Sequence, residues 1–415
     1  MERFIVGPLK AAHTSTLIII DALDECRDEE PASAILSILS RYANEIPDVK
    51  FFITGRPEPK IRSGFRLKSL LPITEVLKLH EVEPETVDND IKLFFQTQLT
   101  DLAENRSDCN SPGDWPSQTD IEVLCMKAAG FFIYAATVIK FVASENHEPP
   151  ERLTIITSLP HITIEEGKSG VDQLYTKVLQ HAFHNVGDDD NQFYTNLQTV
   201  MGTVLLIFNP LSINALSKLL NYTLQSILSI IRSLHSVLLI PDNMENPILT
   251  FHKSFPDFLT DPKRCKDKLF FVEPAVHHGD ILLSCLKLMR ERLKKNICEL
   301  DDYAVLSEVQ DLPDCQEQCI GDALEYACCF WTKHLVNVPD NSPDIREVQE
   351  AIDKFSMTYL LYWIEILSLT GNLSAGVHAF NDIQQWYTLV SCVLSINPEN
   401  PWLYLFRQEV PASGQ

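Results

Sequence analysis

The chain has 415 residues, is 45% apolar and 22% charged, and carries a formal net charge of −23. Its length exceeds what one hydrophobic core usually supports, so two or three domains are expected, and its composition excludes a largely disordered chain. So strong an acidic excess excludes a duplex-binding protein, because phosphate backbones are held by clustered lysine and arginine.

The one basic cluster, Lys287, Arg290, Arg292, Lys294 and Lys295, precedes Glu299, Asp301 and Asp302 and reads as a solvated helix face. No nucleic-acid partner is expected. The longest apolar run, 128–139, is too short for a bilayer, which takes about 20 residues. Residues 1–16 lack the apolar stretch of a secretory leader. The 11 cysteines show no paired Cys-x-x-Cys spacing, and Cys315 and Cys319, the nearest approach to a metal pair, have no second pair. Reduced thiols and a cytoplasmic location are expected, with no membrane attachment.

In chain order, residues 1–16 form a short amphipathic piece around Pro8. The run Leu17-Ile18-Ile19-Ile20 suits a strand covered on both faces of a parallel sheet. Asp21-Ala22-Leu23-Asp24-Glu25 then falls at the strand's carboxyl end, where open α/β sheets bind ligands. A carboxylate there can hold magnesium, usually through water, beside a nucleotide phosphate. A buried strand ending in a solvated acidic turn is the plainer alternative. Pro31 is placed for a first helical turn, Ile35, Leu36, Ile38, Leu39 and Tyr42 recur at helical spacing, and 49–54 reads as a second buried strand ending in Gly55-Arg56-Pro57. Strand, helix and strand make a βαβ unit, with Arg56 level with Asp21 and able to reach a γ-phosphate. An exposed arginine in a proline turn is the alternative there.

A third strand is expected over 76–79, a helix from Pro84, a loop over 105–118, a helix capped by Asp120 and an apolar helix after Gly130. Gly167-Lys168-Ser169 has the last three residues of a phosphate loop, but Glu165 and Glu166 stand where phosphates would lie, and it reads as a linker. Helices over 193–208, 212–220 and 224–234 precede short strands at 237–240 and 248–252, a winged-helix order whose third helix offers only Arg232 to a base. Past 270 all periodic segments are helical: 275–293, 320–335, 345–369 and 374–396.

These segments resemble fungal NACHT-type signal-transduction NTPases with a nephrocystin-type N-terminal module, Asp21-Ala22-Leu23-Asp24-Glu25 matching the Walker B motif and Gly55-Arg56-Pro57 the sensor strand end. The resemblance implies Asp21 as the magnesium-water carboxylate, Asp24 and Glu25 as the acids that position or activate the attacking water, and Arg56 as the sensor. It implies that His252, in Phe251-His252-Lys253-Ser254-Phe255, meets the β-phosphate of ADP, although the wider family has Met-His-Asp there. Phe132 stands where relatives place an adenine-contacting proline, so core packing is expected of it. The implied fold is α/β then mostly α: a truncated P-loop NTPase parallel sheet over 1–104, a small helical domain over 119–187, a winged helix over 188–265, and a helical connector over 270–415 leading towards a repeat sensor. The implied function is an ATP/ADP-regulated switch in self/non-self or stress recognition, with magnesium, protein partners and homo-oligomerisation. Nothing before Leu17 reads as a Walker A loop, whose backbone N–H groups and lysine hold the phosphates. Weak or absent nucleotide binding and no useful ATPase activity are therefore expected of the chain as given, and the sensor strand should keep an open edge. The alternative is a degenerate, nucleotide-independent helical interaction module without cofactor.

Overall fold

The computed structural model describes residues 7–8, 15–26, 29–46, 48–106, 115–144, 147–160, 170–187, 190–301, 305–309, 311–342 and 345–390. The chain divides into two units, Met1–Thr86 and Val87–Gln415. The linker reading at Gly167-Lys168-Ser169, most of the amphipathic start and the end of the last expected helix lie outside the described residues.

In the first unit β1 (Thr16–Ile20) and β2 (Val49–Ile53) pair in parallel. The crossover carries α1 (Glu29–Tyr42), and α2 (Pro59–Phe65) follows β2. β-Branched and aromatic residues favour the strands, and Pro59 opens α2 at a position where no backbone donor is needed. Leu23, Leu36, Leu39, Ile61 and Leu70 form the core beneath the sheet, against Ile20, Phe51 and Ile53. The helices touch at Gly64, where a Cβ would come within 2.5 Å of Leu36 Cδ1.

Two expectations need correction. The sheet is not covered on both faces: Leu17, Ile19 and Phe52 alternate outward at 60%, 64% and 57% exposure, because α1 and α2 pack on the other side. The third strand is not formed. Residues 76–78 run between short 3-10 turns at Leu71–Ile73 and Leu79–Glu81, and Val76, Leu77 and Leu79 stand exposed with no neighbouring ladder among the described residues to register them.

The second unit is helical. It begins with α3 (Pro84–Asn105), which enters from the first unit, then α4 (Gln118–Ala128), α5 (Phe132–Val142), α6 (Pro149–Thr157) and α7 (Gly170–Ala182). The cap of α4 is Ser117 rather than Asp120. Its hydroxyl accepts the Asp120 N–H at 3.1 Å while the Asp120 carboxylate accepts the Ser117 N–H at 3.3 Å, the reciprocal box that three-residue spacing allows. Three helices follow, α8 (Asn191–Leu206), α9 (Ile213–Leu220) and α10 (Leu224–Ile231), then the antiparallel pair β3 (Leu238–Leu239) and β4 (Leu249–Thr250), and α11 (Ser254–Leu259). Arg264 ties this region to α7, its Nη2 lying 2.6 Å from the buried Asp172 carboxylate.

The remaining helices are α12 (Pro274–Arg292), α13 (Leu312–Cys319), α14 (Gly321–Leu335), α15 (Ile345–Thr358), α16 (Leu360–Leu369) and α17 (Leu373–Val390). The single helix expected over 345–369 is two, meeting at Tyr359. The turn lets Phe355 and Trp363 both close on Trp331, with ring centroids at 5.4 and 6.0 Å. The Trp363 indole donates to the Cys328 carbonyl at 2.8 Å, so this aromatic stripe is core. Gly371, at φ 72°, ends α16 as expected. Among the described residues no helix is long and apolar enough to cross a membrane, and all described cysteines are free thiols.

A buried polar chain joins α12 to α14. The Phe208 N–H donates to the Tyr326 hydroxyl at 3.1 Å, that hydroxyl lies 2.7 Å from His334 Nε2, and the Nδ1 atoms of His334 and His278 lie 2.8 Å apart, one donating to the other. Burial, then the neighbouring imidazoles, pushes His278 down to about 4 and His334 down to about 3. Folded-state values below the ordinary histidine range mean that the unfolded chain binds the extra protons as pH falls. Stability is full above about pH 6.5. It is lost as pH drops from there towards 4, each histidine contributing on the order of 1 kcal/mol per pH unit. Urea titrations between pH 7 and 5 should show this decline, and His278→Asn, which keeps an acceptor for His334, should make it shallower. The bare sheet face gives a second expectation: the chain self-associates with rising concentration, and Ile19→Thr with Phe52→Thr reduces that association in sedimentation equilibrium.

Candidate functional site

The parallel register sets Ile20 opposite Ile53, so the next residues, Asp21 and Thr54, emerge side by side at the carboxyl ends of the strands. The Thr54 N–H continues the ladder to the Ile20 carbonyl at 3.0 Å. Its hydroxyl donates to Asp21 Oδ1 and accepts the Ala22 N–H at 2.8 Å. The Thr54 carbonyl accepts the Leu23 N–H at 2.9 Å. Ala22 is held at φ 52°, ψ 52°, a left-handed conformation that costs a residue with a Cβ roughly 1 kcal/mol. Three hydrogen bonds between Thr54 and this turn, one donated to Asp21 and two accepted from Ala22 and Leu23, hold it there.

The turn sorts the acids. Leu23 buries into the core and carries Asp24 inward with it, to 8% exposure, while Asp21 and Glu25 face solvent. The Asp24 carboxylate accepts the Arg56 N–H at 3.0 Å, and the Arg56 guanidinium lies 3.6 Å from its other oxygen with 44% of the side chain exposed. A buried carboxylate needs such a counter-charge and donor. Arg56 is thus not level with Asp21. The register gives that place to Thr54, and Arg56, two residues on, meets Asp24 instead.

The Walker B and sensor motifs do not mark Thr54, yet counting one step past each strand pairs it with Asp21. Asp21, with an oxygen beyond the one Thr54 occupies, fits a magnesium role in which a single carboxylate acts beside substrate phosphates. Among the described residues no group of three His, Cys, Asp or Glu side chains could hold a metal by itself.

His252 belongs to the second unit, just past β4. Its Nδ1 accepts the Ser254 N–H at 3.1 Å and lies 2.7 Å from the Ser254 hydroxyl, which in turn meets the Tyr175 hydroxyl at 2.7 Å. The acceptor role puts the ring proton on Nε2. Lys140 sits over the neighbouring Phe251 ring at 4.4 Å. Phe132 begins α5, edge-on to Phe94 at 6.1 Å but 45% exposed, so the core packing expected of it is not met.

The chain is 24% identical over 391 residues to the vegetative incompatibility protein HET-E-1 of Podospora anserina, a match covering 89% of this chain. The chain spans about a quarter of that protein, 26% of its length. The likeness supports a relationship to the NACHT-type proteins that the Asp21–Glu25 motif resembles. No family profile and no solved structure matches the chain.

The strained turn yields a paired expectation. Ala22→Gly should stabilise the first unit by up to about 1 kcal/mol, whereas Thr54→Val, which strands the Ala22 N–H, should destabilise it by about 1–2 kcal/mol. Chemical denaturation of both variants checks this, and a destabilised Ala22→Gly protein would contradict the account of the turn.

Proposed function

We propose that this chain is the back part of a NACHT-type nucleotide-switch signalling NTPase acting in self/non-self or stress recognition. The observation that carries the reading is the convergence of Asp21, Thr54, Asp24 and Arg56 at the carboxyl ends of two adjacent parallel strands. The matched relative is named for vegetative incompatibility, which accords with it. In this reading the order of helices and the β3–β4 pair in the second unit is a winged helix.

Asp21 with the Thr54 hydroxyl would hold magnesium, which when bound offsets phosphate charge. Glu25, exposed on the same turn, positions or activates the attacking water. Asp24, being buried, acts chiefly by aiming Arg56, whose exposed guanidinium senses the γ-phosphate. His252 offers Nε2–H to the β-phosphate of ADP, because its Nδ1 is engaged with Ser254. The phosphates themselves need a cradle of N–H groups and a lysine, which the sequence reading does not find in this chain. Nucleotide affinity of the chain as given should therefore be weak.

A second reading has its own support. The Asp24–Arg56 pair closes the turn with the chain's own residues, as it would in a nucleotide-independent helical interaction module.

One comparison separates the readings. The 47.1 kDa chain should show no calorimetric binding of MgATP or MgADP tighter than roughly 100 μM, since two carboxylates repel unneutralised phosphate. Protein isolated from its own cells should have a larger intact mass, bind ADP, and lose about tenfold or more in affinity for MgATP on Asp21→Asn or Arg56→Ala. An endogenous protein of 47.1 kDa that binds no nucleotide would establish the interaction module instead.

A further inference from the structure

One nitrogen of His252 is held by a chain of hydroxyl groups that begins on a different helix. Its Nδ1 lies 2.7 Å from the Ser254 hydroxyl, and that hydroxyl lies 2.7 Å from the hydroxyl of Tyr175, in the second turn of α7. Two hydroxyls and an imidazole in a row can carry their protons in either direction. The direction taken decides which ring nitrogen is protonated.

A backbone group settles it. The Ser254 N–H donates to the same Nδ1 at 3.1 Å, so that nitrogen presents its lone pair. A proton on Nδ1 would point at this N–H and leave it without its acceptor. With Nδ1 accepting, the Ser254 hydroxyl has to donate to it. The single Ser254 proton is then committed, and Tyr175 has to donate to Ser254. The relay runs from Tyr175 through Ser254 to His252 Nδ1, and the ring proton stays on Nε2.

Tyr175 is fixed by its surroundings. It is 1% exposed, with its ring edge-on to Phe255 at 5.2 Å and tilted against Phe258 at 5.6 Å, which holds the hydroxyl on Ser254. A phenylalanine would fill the same aromatic niche, so packing alone does not account for the hydroxyl. Burial pushes the phenol up from its ordinary range, which keeps the proton it donates. The segment around His252 is fastened on both sides of Ser254. Lys140 of α5 lies 4.4 Å from the Phe251 ring centroid, and Arg264 meets Asp172, one turn before Tyr175 on α7.

We propose that Tyr175 is a positioning residue for His252: its donor relay through Ser254 fixes the imidazole as the Nε2–H tautomer, a neutral hydrogen-bond donor to an anionic oxygen. That the oxygen belongs to the β-phosphate of ADP rests on the nucleotide reading, whereas the relay does not. Tyr175 touches no ligand in this scheme and acts through Ser254 alone.

Nitrogen NMR of the full chain carrying isotopically labelled histidine, at about pH 8 where free imidazole is neutral, reads the tautomer directly. His252→Gln identifies the signal by its loss. The expected wild-type signature is an unprotonated Nδ1 and a protonated Nε2. Tyr175→Phe, which keeps the ring packing, should raise the ratio of Nδ1–H to Nε2–H about fivefold, the equilibrium weight of one hydrogen bond. Ser254→Ala should do the same, and Ser254→Thr, which keeps the hydroxyl, should retain the wild-type signature, a pattern that loss of packing would not produce. Ser254→Ala decides the matter if Tyr175→Phe does not fold. A wild-type His252 protonated at Nδ1, or a ratio unchanged in both Tyr175→Phe and Ser254→Ala, overturns the proposal. If the relay signature is found and protein isolated from its own cells binds no ADP, the relay stands and only the nucleotide reading falls.

Discussion

The register that puts Ile20 opposite Ile53 determines the geometry of the acidic turn. One residue further along each strand, the Thr54 hydroxyl bridges the Asp21 carboxylate and the Ala22 N–H, and Ala22 can stay in the left-handed region only because those bonds hold it. With Ala22 fixed, Leu23 drops into the core and Asp24 follows it out of water, so a counter-charge becomes obligatory. Arg56 supplies it with one backbone and one side-chain contact. A slip of one residue in the strand pair would reverse the faces of β1 and β2 and separate all four groups. The site is therefore a consequence of sheet pairing more than of any attraction among its charged residues.

Periodicity made most of this legible. Runs of β-branched residues ending in polar turns located β1 and β2, and helical spacing located α8, α9, α10, α12 and α14 to within a few residues, whereas the short helices α11 and α13 were not expected. What failed did so where a short segment depends on a neighbour. Residues 76–79 have strand composition, yet a strand exists only when a ladder registers it, and none is offered there. The exposed alternation of Leu17, Ile19 and Phe52 could not be read from an unbroken apolar run, because such a run looks the same whether one face or both are covered. At Tyr359 two helices replace one, since the i, i+4 pattern continues smoothly through a turn that tertiary packing on Trp331 dictates. The site residues were legible as types and their partners were not. Placing Arg56 level with Asp21 was a register error of two residues, and it hid both the role of Thr54 and the commitment of Asp24.

A buried polar chain threads the α12–α14 contact in the second unit, running from the Phe208 N–H through the Tyr326 hydroxyl to the His334 and His278 rings. At the α8–α12 contact Gly202 leaves room for the His277 ring, where a Cβ would approach within 2.7 Å. Packing this close disfavours a charged imidazole, and burial lowers the pKa of His277, His278 and His334 alike. The same α14 helix turns Tyr326 inward to this chain, its Glu325 towards Asn372 just before α17, and Asp322 to solvent. Three residues on one helix thus couple the core to the surface.

That coupling bears on how charge is distributed over the chain. A net charge of −23 has to be tolerated somewhere, and solvated faces do so cheaply because salt screens them. The Asp21–Glu25 turn and the facing sides of α14 and α17 are different cases, since in each a carboxylate is drawn at least partly out of water. At the turn the structure answers with Arg56, an internal cation in direct contact. Between α14 and α17 it answers with neutral donors, the Asn372 amide on Glu325 and the Thr332 hydroxyl on Asp382, and with the Lys333 charge acting on Asp382 from farther away. A contact ion pair fixes the position of its cation, whereas dipoles and a longer-range charge anchor the carboxylate without a fixed counter-ion.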